Sequence, residues 1–150
     1  MLRKNIFIGA DSAGFALKEE IKKHLVELGY VVNDCGTSSE ASFHYPDYAR
    51  HGCLNLQRQP KDSCFGILVC GTGIGMSMCA NKFNGVRAAL CSDTYSAKMT
   101  RRHNDANVLA LGAGLTGTNM ALRMVEVFLN TEFEGGRHQR RVDQLNAIQP

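Results

Sequence analysis

Short apolar runs alternate along this chain with longer stretches in which apolar residues recur every three or four positions. Asn5–Ala10 (NIFIGA) reads as a strand ending at Gly9. Gly14–Leu28 carries Phe15, Leu17, Ile21, Leu25 and Leu28, a helical rather than alternating spacing. Gly29 stands where a helix C-terminus wants a left-handed residue. Tyr30-Val31-Val32 begins a second strand, which runs to Cys35-Gly36. Pro46 opens the next helix, as suits proline in a first turn. Phe65–Cys70 (FGILVC), Val86–Cys91 (VRAALC) and Asn107–Gly112 (NVLALG) are apolar without alternation, the pattern of strands buried on both faces. Helical stretches at Tyr95–His103 and Gly117–Leu129 follow the last two, and a polar helix is expected over His138–Ile148.

Five strands alternating with helices imply a parallel sheet, because parallel strands need crossover connections and helices supply them. The expected fold is a three-layer α/β/α sandwich with a Rossmann-like five-stranded parallel sheet, formed by residues 1–150 as a single domain. No linker, repeat or low-complexity stretch interrupts it. Ligands of such sheets gather at the carboxyl ends of the strands, which turns the strand assignments into a search list.

Composition adds exclusions. The 150 residues hold 17 Lys+Arg against 14 Asp+Glu, a net charge of +3 that argues for no nucleic-acid partner. Hydrophobic residues at 44% and charged residues at 21% are ordinary for a globular protein. The six cysteines contain no C-x-x-C pair, which removes zinc-ribbon, thioredoxin and haem-attachment readings. The apolar run near the N-terminus, Ile6-Phe7-Ile8, is too short for a signal peptide. No stretch approaches the roughly 18–20 apolar residues that span a bilayer. A cytoplasmic protein without membrane contact is expected, its cysteines mostly small buried hydrophobes.

The strand ends carry the chemistry. Gly9-Ala10-Asp11-Ser12-Ala13-Gly14 follows the first strand and Cys70-Gly71-Thr72-Gly73-Ile74-Gly75 the third, so a carboxylate and a thiol reach one sheet edge. Glycines at alternate positions let backbone N–H groups converge on an anion. The pattern is neither the dinucleotide fingerprint nor a P-loop, which leaves nicotinamide cofactors and nucleoside triphosphates without support. Cys70 lies beside these amides, where negative charge on sulfur is favoured, so it could act as base or nucleophile; an inert buried thiol is the plainer alternative. Asp11 is equally a helix N-cap, and His103 equally a helix-terminal residue favoured by the dipole. Arg137 and Arg141 lie at i, i+4 on one helical face, a forked pair matched to phosphate or simply a solvated helix end. No aromatics interleave with these arginines, which weakens a nucleic-acid reading further.

Taken together the motifs resemble the ribose-5-phosphate isomerase B family, whose relatives include galactose-6-phosphate isomerase subunits. The resemblance rests on Gly9-Ala10-Asp11, Tyr45-Pro46-Asp47-Tyr48-Ala49, Cys70-Gly71-Thr72-Gly73-Ile74-Gly75-Met76-Ser77, Ala80-Asn81-Lys82, Val86-Arg87-Ala88, His103-Asn104-Asp105-Ala106-Asn107-Val108 and Gly135-Gly136-Arg137-His138-Gln139-Arg140-Arg141. Segments in this order cover nearly the whole chain. The resemblance implies interconversion of aldose and ketose phosphates through an enediolate, by default ribose 5-phosphate and ribulose 5-phosphate. Cys70 would carry the proton with help from Thr72, and Asp11 and His103 would open the furanose ring. Gly71, Gly73, Ile74 and Gly75 would line the enediolate, with Ser12, Tyr45 and Asn104 also at the substrate. Arg137, His138 and Arg141 would hold the phosphate. No metal or organic cofactor is implied. A homodimer or dimer of dimers is, with the site shared between subunits and the His103 segment given by the partner.

Two positions depart from the family pattern. Ser12 stands where many members carry histidine, and Gly114 where many carry an arginine that reaches the neighbouring site's phosphate. Hydrogen bonds to charged groups contribute roughly 1.5–3 kcal/mol each, so the two losses bear on substrate choice. Allose 6-phosphate, galactose 6-phosphate or a tetrose phosphate are the alternative substrates, and a catalytically silent sugar-phosphate-binding subunit is the alternative role.

Overall fold

The computed structural model describes residues 5–40 and 44–148. Its elements run β1 (Asn5–Ala10), α1 (Phe15–Glu27), β2 (Val31–Asp34), α2 (Tyr45–Arg58), β3 (Cys64–Cys70), α3 (Ile74–Ala80), β4 (Ala88–Leu90), α4 (Thr94–Asn104), β5 (Val108–Gly112), α5 (Thr118–Asn130) and α6 (Arg137–Asn146). The five strands form one sheet in the order β2-β1-β3-β5-β4, and every neighbouring pair is parallel. The expected α/β sandwich is therefore the observed one.

The two faces of the sheet carry separate cores. Ile6, Ile8, Phe65, Ile67, Val69, Leu109 and Leu111 face α1, α4 and α5, through Ile21, Leu25, Ala97, Met124 and Phe128. Leu68, Cys70, Val108 and Ala110 face α2 and α3, through Ala49, Cys53, Met76 and Ala80. Alternate residues of β3 thus serve opposite layers, which is why its sequence is apolar throughout. Helix α6 lies outside this sandwich and packs on α4.

One strand departs from expectation. Val86–Cys91 reads as doubly buried, yet only Ala88–Leu90 pairs as β4, and Leu90 is 43% exposed. The strand stands at the sheet's edge, paired with β5 alone. Leu90 faces outward there, while Val86 and Cys91 on either side are buried in the two cores. Gly29 does adopt the left-handed conformation, with φ of 90°, and Pro46 stands in the first turn of α2, one residue after Tyr45.

The most deeply placed charge is Lys18 on α1, fully buried. Its ammonium donates to both oxygens of Asp34 at 2.8 and 2.7 Å and to the Thr37 carbonyl at 2.5 Å. Burial pushes the Asp34 carboxyl up, but the Lys18 ammonium, the Gly36 amide and Lys22 outweigh it and hold the group below its ordinary value. The ion pair fixes the turn after β2, whose Gly36 carbonyl and Thr37 amide continue the ladder to Ala10 at 2.7 Å each.

Candidate active site

The strand order changes direction between β1 and β3, and a crevice at the carboxyl ends of such a pair is the usual ligand site of an open α/β sheet. Asp11 directly follows β1 and Cys70 ends β3. The Asp11 amide donates to the Val69 carbonyl at 3.3 Å, so the two loops leave the sheet side by side. The Asp11 carboxylate accepts the Gly14 amide at 3.0 Å, which closes the turn into α1. It caps that turn from three residues away, while Gly14, the residue flanking the helix, gives no side-chain cap.

Cys70 is 5% exposed and its Sγ accepts the Gly73 amide at 3.1 Å. The Ile74 amide donates to Thr72 Oγ1 at 3.2 Å. Two of the loop's amides are thus engaged inside the loop, one of them on the sulfur, rather than all converging on a guest anion. Gly73 adopts φ of 80°, and a Cβ there would lie 2.5 Å from Leu90 Cδ1 and 2.8 Å from the Leu111 carbonyl carbon. Only glycine passes through this gap in this conformation. Tyr45 lies across the start of α3, its ring atom Cε1 2.5 Å from where a Gly75 side chain would begin. Ala13, beside Ser12, approaches Gly71 to ordinary contact. The chain therefore brings together Asp11, Ser12, Tyr45, Cys70, Gly71, Thr72, Gly73, Ile74 and Gly75. Gly114 joins them, its amide donating to the Gly71 carbonyl at 2.9 Å.

His103, Asn104, Arg137, His138 and Arg141 lie elsewhere. Helix α4 runs back from the carboxyl edge, so His103 and Asn104 finish near the start of β5, where the Asn107 carbonyl accepts the Gly66 amide at 2.9 Å. Gly66 is four residues from Cys70, about 13 Å along a strand. This second group is ordered on its own. The His103 and His138 imidazoles stack with centroids 4.3 Å apart and planes 12° from parallel. A cleft of about 240 Å³ beside them is lined by His103, Asn104, His138, Arg141, Val142 and Leu145. His138 is held below the ordinary histidine value by desolvation first, and then by the positive neighbourhood of His103, Arg137 and Arg141 against Glu134.

Sequence reasoning missed Glu134. It lies 3.5 Å from His103 Nε2, and the same oxygen is 2.8 Å from Arg102 Nε. The nearest signal was its position four residues before His138, hidden because Gly135 and Gly136 break any helical pattern between them. Glu134 with the two histidines is also the group suited to a metal ion among the described residues, their ligand atoms all within 4.8 Å of one another. All six cysteines are free thiols, five buried as expected and Cys79 partly exposed. Burial raises Cys35, Cys53, Cys79 and Cys91 above the ordinary thiol value. None of the helices among the described residues is long and apolar enough to cross a membrane.

Known proteins are similar to this chain over nearly their whole length. Ribose-5-phosphate isomerase B of Escherichia coli is 48% identical over 146 residues, 97% of each chain. A putative sugar phosphate isomerase of Bacillus subtilis is 43% identical over 142 residues, 94% of each. Among solved structures, a ribose 5-phosphate isomerase of Thermotoga maritima superposes with a TM-score of 0.91 at 44% identity, covering 96% of this chain and 98% of that one. A family model described as Ribose/Galactose Isomerase matches residues 6–145. From Ile6 to Leu145, then, sheet, glycine loop and basic C-terminal helix included, this chain belongs to the Ribose/Galactose Isomerase family.

Proposed function

We propose that the protein interconverts ribose 5-phosphate and ribulose 5-phosphate, with Cys70 as the base. The observation that carries this reading is the Cys70 sulfur, which accepts the Gly73 amide at the switch point of the sheet, next to the Asp11 loop. An N–H aimed at sulfur favours negative charge there. Cys70 Sγ takes the proton from C2 of the open-chain aldose, and the electron pair forms the C1–C2 double bond of the enediolate. A proton passes from the C2 hydroxyl to the C1 oxygen, and the same thiol then returns its proton to C1 as the C2 oxygen becomes the carbonyl. The loop N–H groups of Gly71, Thr72 and Gly75 are the donors for the enediolate oxygen, a role in which one lost donor typically costs about 2.7–4 kcal/mol. Thr72, already tied to the Ile74 amide, orients the loop and assists the thiol.

Ring opening needs an acid and a base on either side of the furanose, and the phosphate needs cations. Asp11 supplies one of the first pair. His103, Asn104, Arg137, His138 and Arg141 supply the rest from the opposite edge of a second copy of the chain. Supporting this homodimer are the apolar side chains left outward at the carboxyl edge: Ile74, Met78, Leu90, Tyr95 and Leu115, between 43% and 71% exposed. Exposed apolar groups clustered around a polar crevice are the mark of an interface. A cytoplasmic location and a place in pentose phosphate metabolism accompany this reading.

The test is solvent deuterium exchange into the sugar. Cys70→Ala should abolish exchange and turnover while leaving the circular dichroism spectrum intact, and Cys35→Ala should change the rate little. Equal turnover in wild type and Cys70→Ala would remove the base. Mixing inactive Cys70→Ala with inactive His103→Gln should restore about a quarter of wild-type activity, because random pairing leaves one whole site in half of the dimers. No recovery on mixing would refute the shared site. Turnover of allose 6-phosphate, galactose 6-phosphate and a tetrose phosphate beside ribose 5-phosphate decides the sugar, with Ser12 and Gly114 the positions to vary.

A further inference from the structure

The cluster at the amino edge of the sheet has chemistry beyond holding a sugar phosphate. We propose that His103, Glu134 and His138 form a binding site for a divalent transition-metal ion of the zinc, nickel or cobalt type. We further infer that the bound ion excludes the sugar phosphate.

The geometry is close to a ligand set. His103 Nε2 and Glu134 Oε2 are 3.5 Å apart, and the three ligand atoms lie within 4.8 Å of one another. A tetrahedral ion with bonds of about 2.0–2.1 Å places its ligands about 3.3 Å apart, so the longest gap closes by about 1.5 Å. Two of the three can make that movement, since the side chains of His103 and Glu134 are 40% and 38% exposed. The third is fixed. His138 is 5% exposed, and its Nε2 is buried without a hydrogen-bond partner among the described residues. A buried ring nitrogen left unpaired is rare, because burial without a partner forfeits its solvation. An ion drawn to that lone pair supplies the missing partner, and because an imidazole binds in the plane of its ring, the part-exposed His103 swings out of the stack to share it.

The surroundings decide which ion. Arg102 Nε holds Glu134 at 2.8 Å, and Arg137 and Arg141 stand on the same helix as His138. Cations held by charge alone, such as magnesium or calcium, are repelled here. Two imidazoles favour ions that bind nitrogen strongly. The incoming ion displaces Arg102 from the carboxylate, so Arg102 is its competitor within the protein. Two histidines and one carboxylate leave a fourth position for water. The exclusion of substrate rests on the reading above, which gives His103 and His138 to ring opening and phosphate binding.

Titration of the full chain with cobalt(II), followed by visible absorption, tests the site. The expected result is saturable binding with ligand-field bands and without the intense thiolate charge-transfer absorption of a cysteine site. Glu134→Gln should weaken binding at least tenfold, and Arg102→Ala should tighten it about tenfold. Both side chains are part-exposed, so neither change threatens the fold; His138→Gln, checked by circular dichroism, should remove binding. Absence of saturable binding, a thiolate spectrum, or affinities unchanged by Glu134→Gln and Arg102→Ala would each overturn the site. Binding that follows this pattern while ribose 5-phosphate turnover is unaffected would uphold the ion site and overturn the exclusion, and with it the role given to His103 and His138.

Discussion

Replacing Gly73 with alanine probes how tightly the loop that carries Cys70 is threaded. Two costs add. The residue sits at φ of 80°, where a Cβ costs about 1–2 kcal/mol in a left-handed conformation. The new methyl would also lie 2.8 Å from the Leu111 carbonyl carbon and 3.0 Å from its Cα, main-chain atoms of β5 held in the sheet ladder and unable to yield. Overpacking of this kind costs about 1–3 kcal/mol, so Gly73→Ala should destabilise by about 2–5 kcal/mol. Gly85 is the internal control. Its φ is 79° and nothing lies within 4 Å of its missing Cβ, so Gly85→Ala incurs only the conformational cost. Urea unfolding of both variants at one protein concentration separates the terms, since association changes apparent stability. Gly73→Ala should also lose more than tenfold in kcat/KM, because displacing residue 73 moves the amide that now points at Cys70 Sγ. If the two variants lose the same stability within about 0.5 kcal/mol, close approach to β5 is not what demands glycine.

Two further outcomes follow from buried groups. Lys18→Met leaves the part-exposed Asp34 carboxylate with Lys22 at 3.0 Å and the Gly36 amide at 2.9 Å, and losing hydrogen bonds to a charged group from a buried donor costs about 1.5–3 kcal/mol; Lys22→Met should cost under about 1 kcal/mol, and equal losses in urea unfolding would refute the difference. Burial, then the neighbouring Cys79 and Cys35, pushes the Cys53 thiol up to about 12, above the unfolded value. Its stabilising share is therefore whole below about pH 9 and drains as pH rises towards 12, by about 1.4 kcal/mol per pH unit. Stability measured between about pH 9 and 11 should fall less steeply in Cys53→Ala than in wild type, and parallel slopes would contradict the burial argument.

Much of the molecule was legible because local pattern and tertiary demand agree. The apolar run Phe65–Cys70 predicts a central strand, and β3 is central. Val86–Cys91 shows where pattern stops: an apolar strand at a chain's own sheet edge looks identical in sequence to a central one. The carboxyl-edge group was readable from strand ends alone, since strand direction carries Asp11, Cys70 and the glycine loop to one place. His103 and His138 could be named but not placed, because their position depends on helices running back across the sheet. Glu134 was invisible for a related reason, its partners coming from α4 and α6 through contacts no local periodicity encodes. Lys18 was unreadable as a buried residue, since only the docking of α1 against the turn after β2 makes an ion pair of it.

The separation of the thiol edge from the histidine edge has an evolutionary corollary under the shared-site reading. Every copy carries two unlike halves, and each is used with the other half of a different copy. After gene duplication, one descendant could lose its histidine edge and the other its thiol edge, and the pair would still assemble one intact site per dimer. Neither gene would then be dispensable. A homomeric isomerase of this architecture is therefore one duplication and two losses away from an obligate two-component enzyme, without any new catalytic residue having to arise.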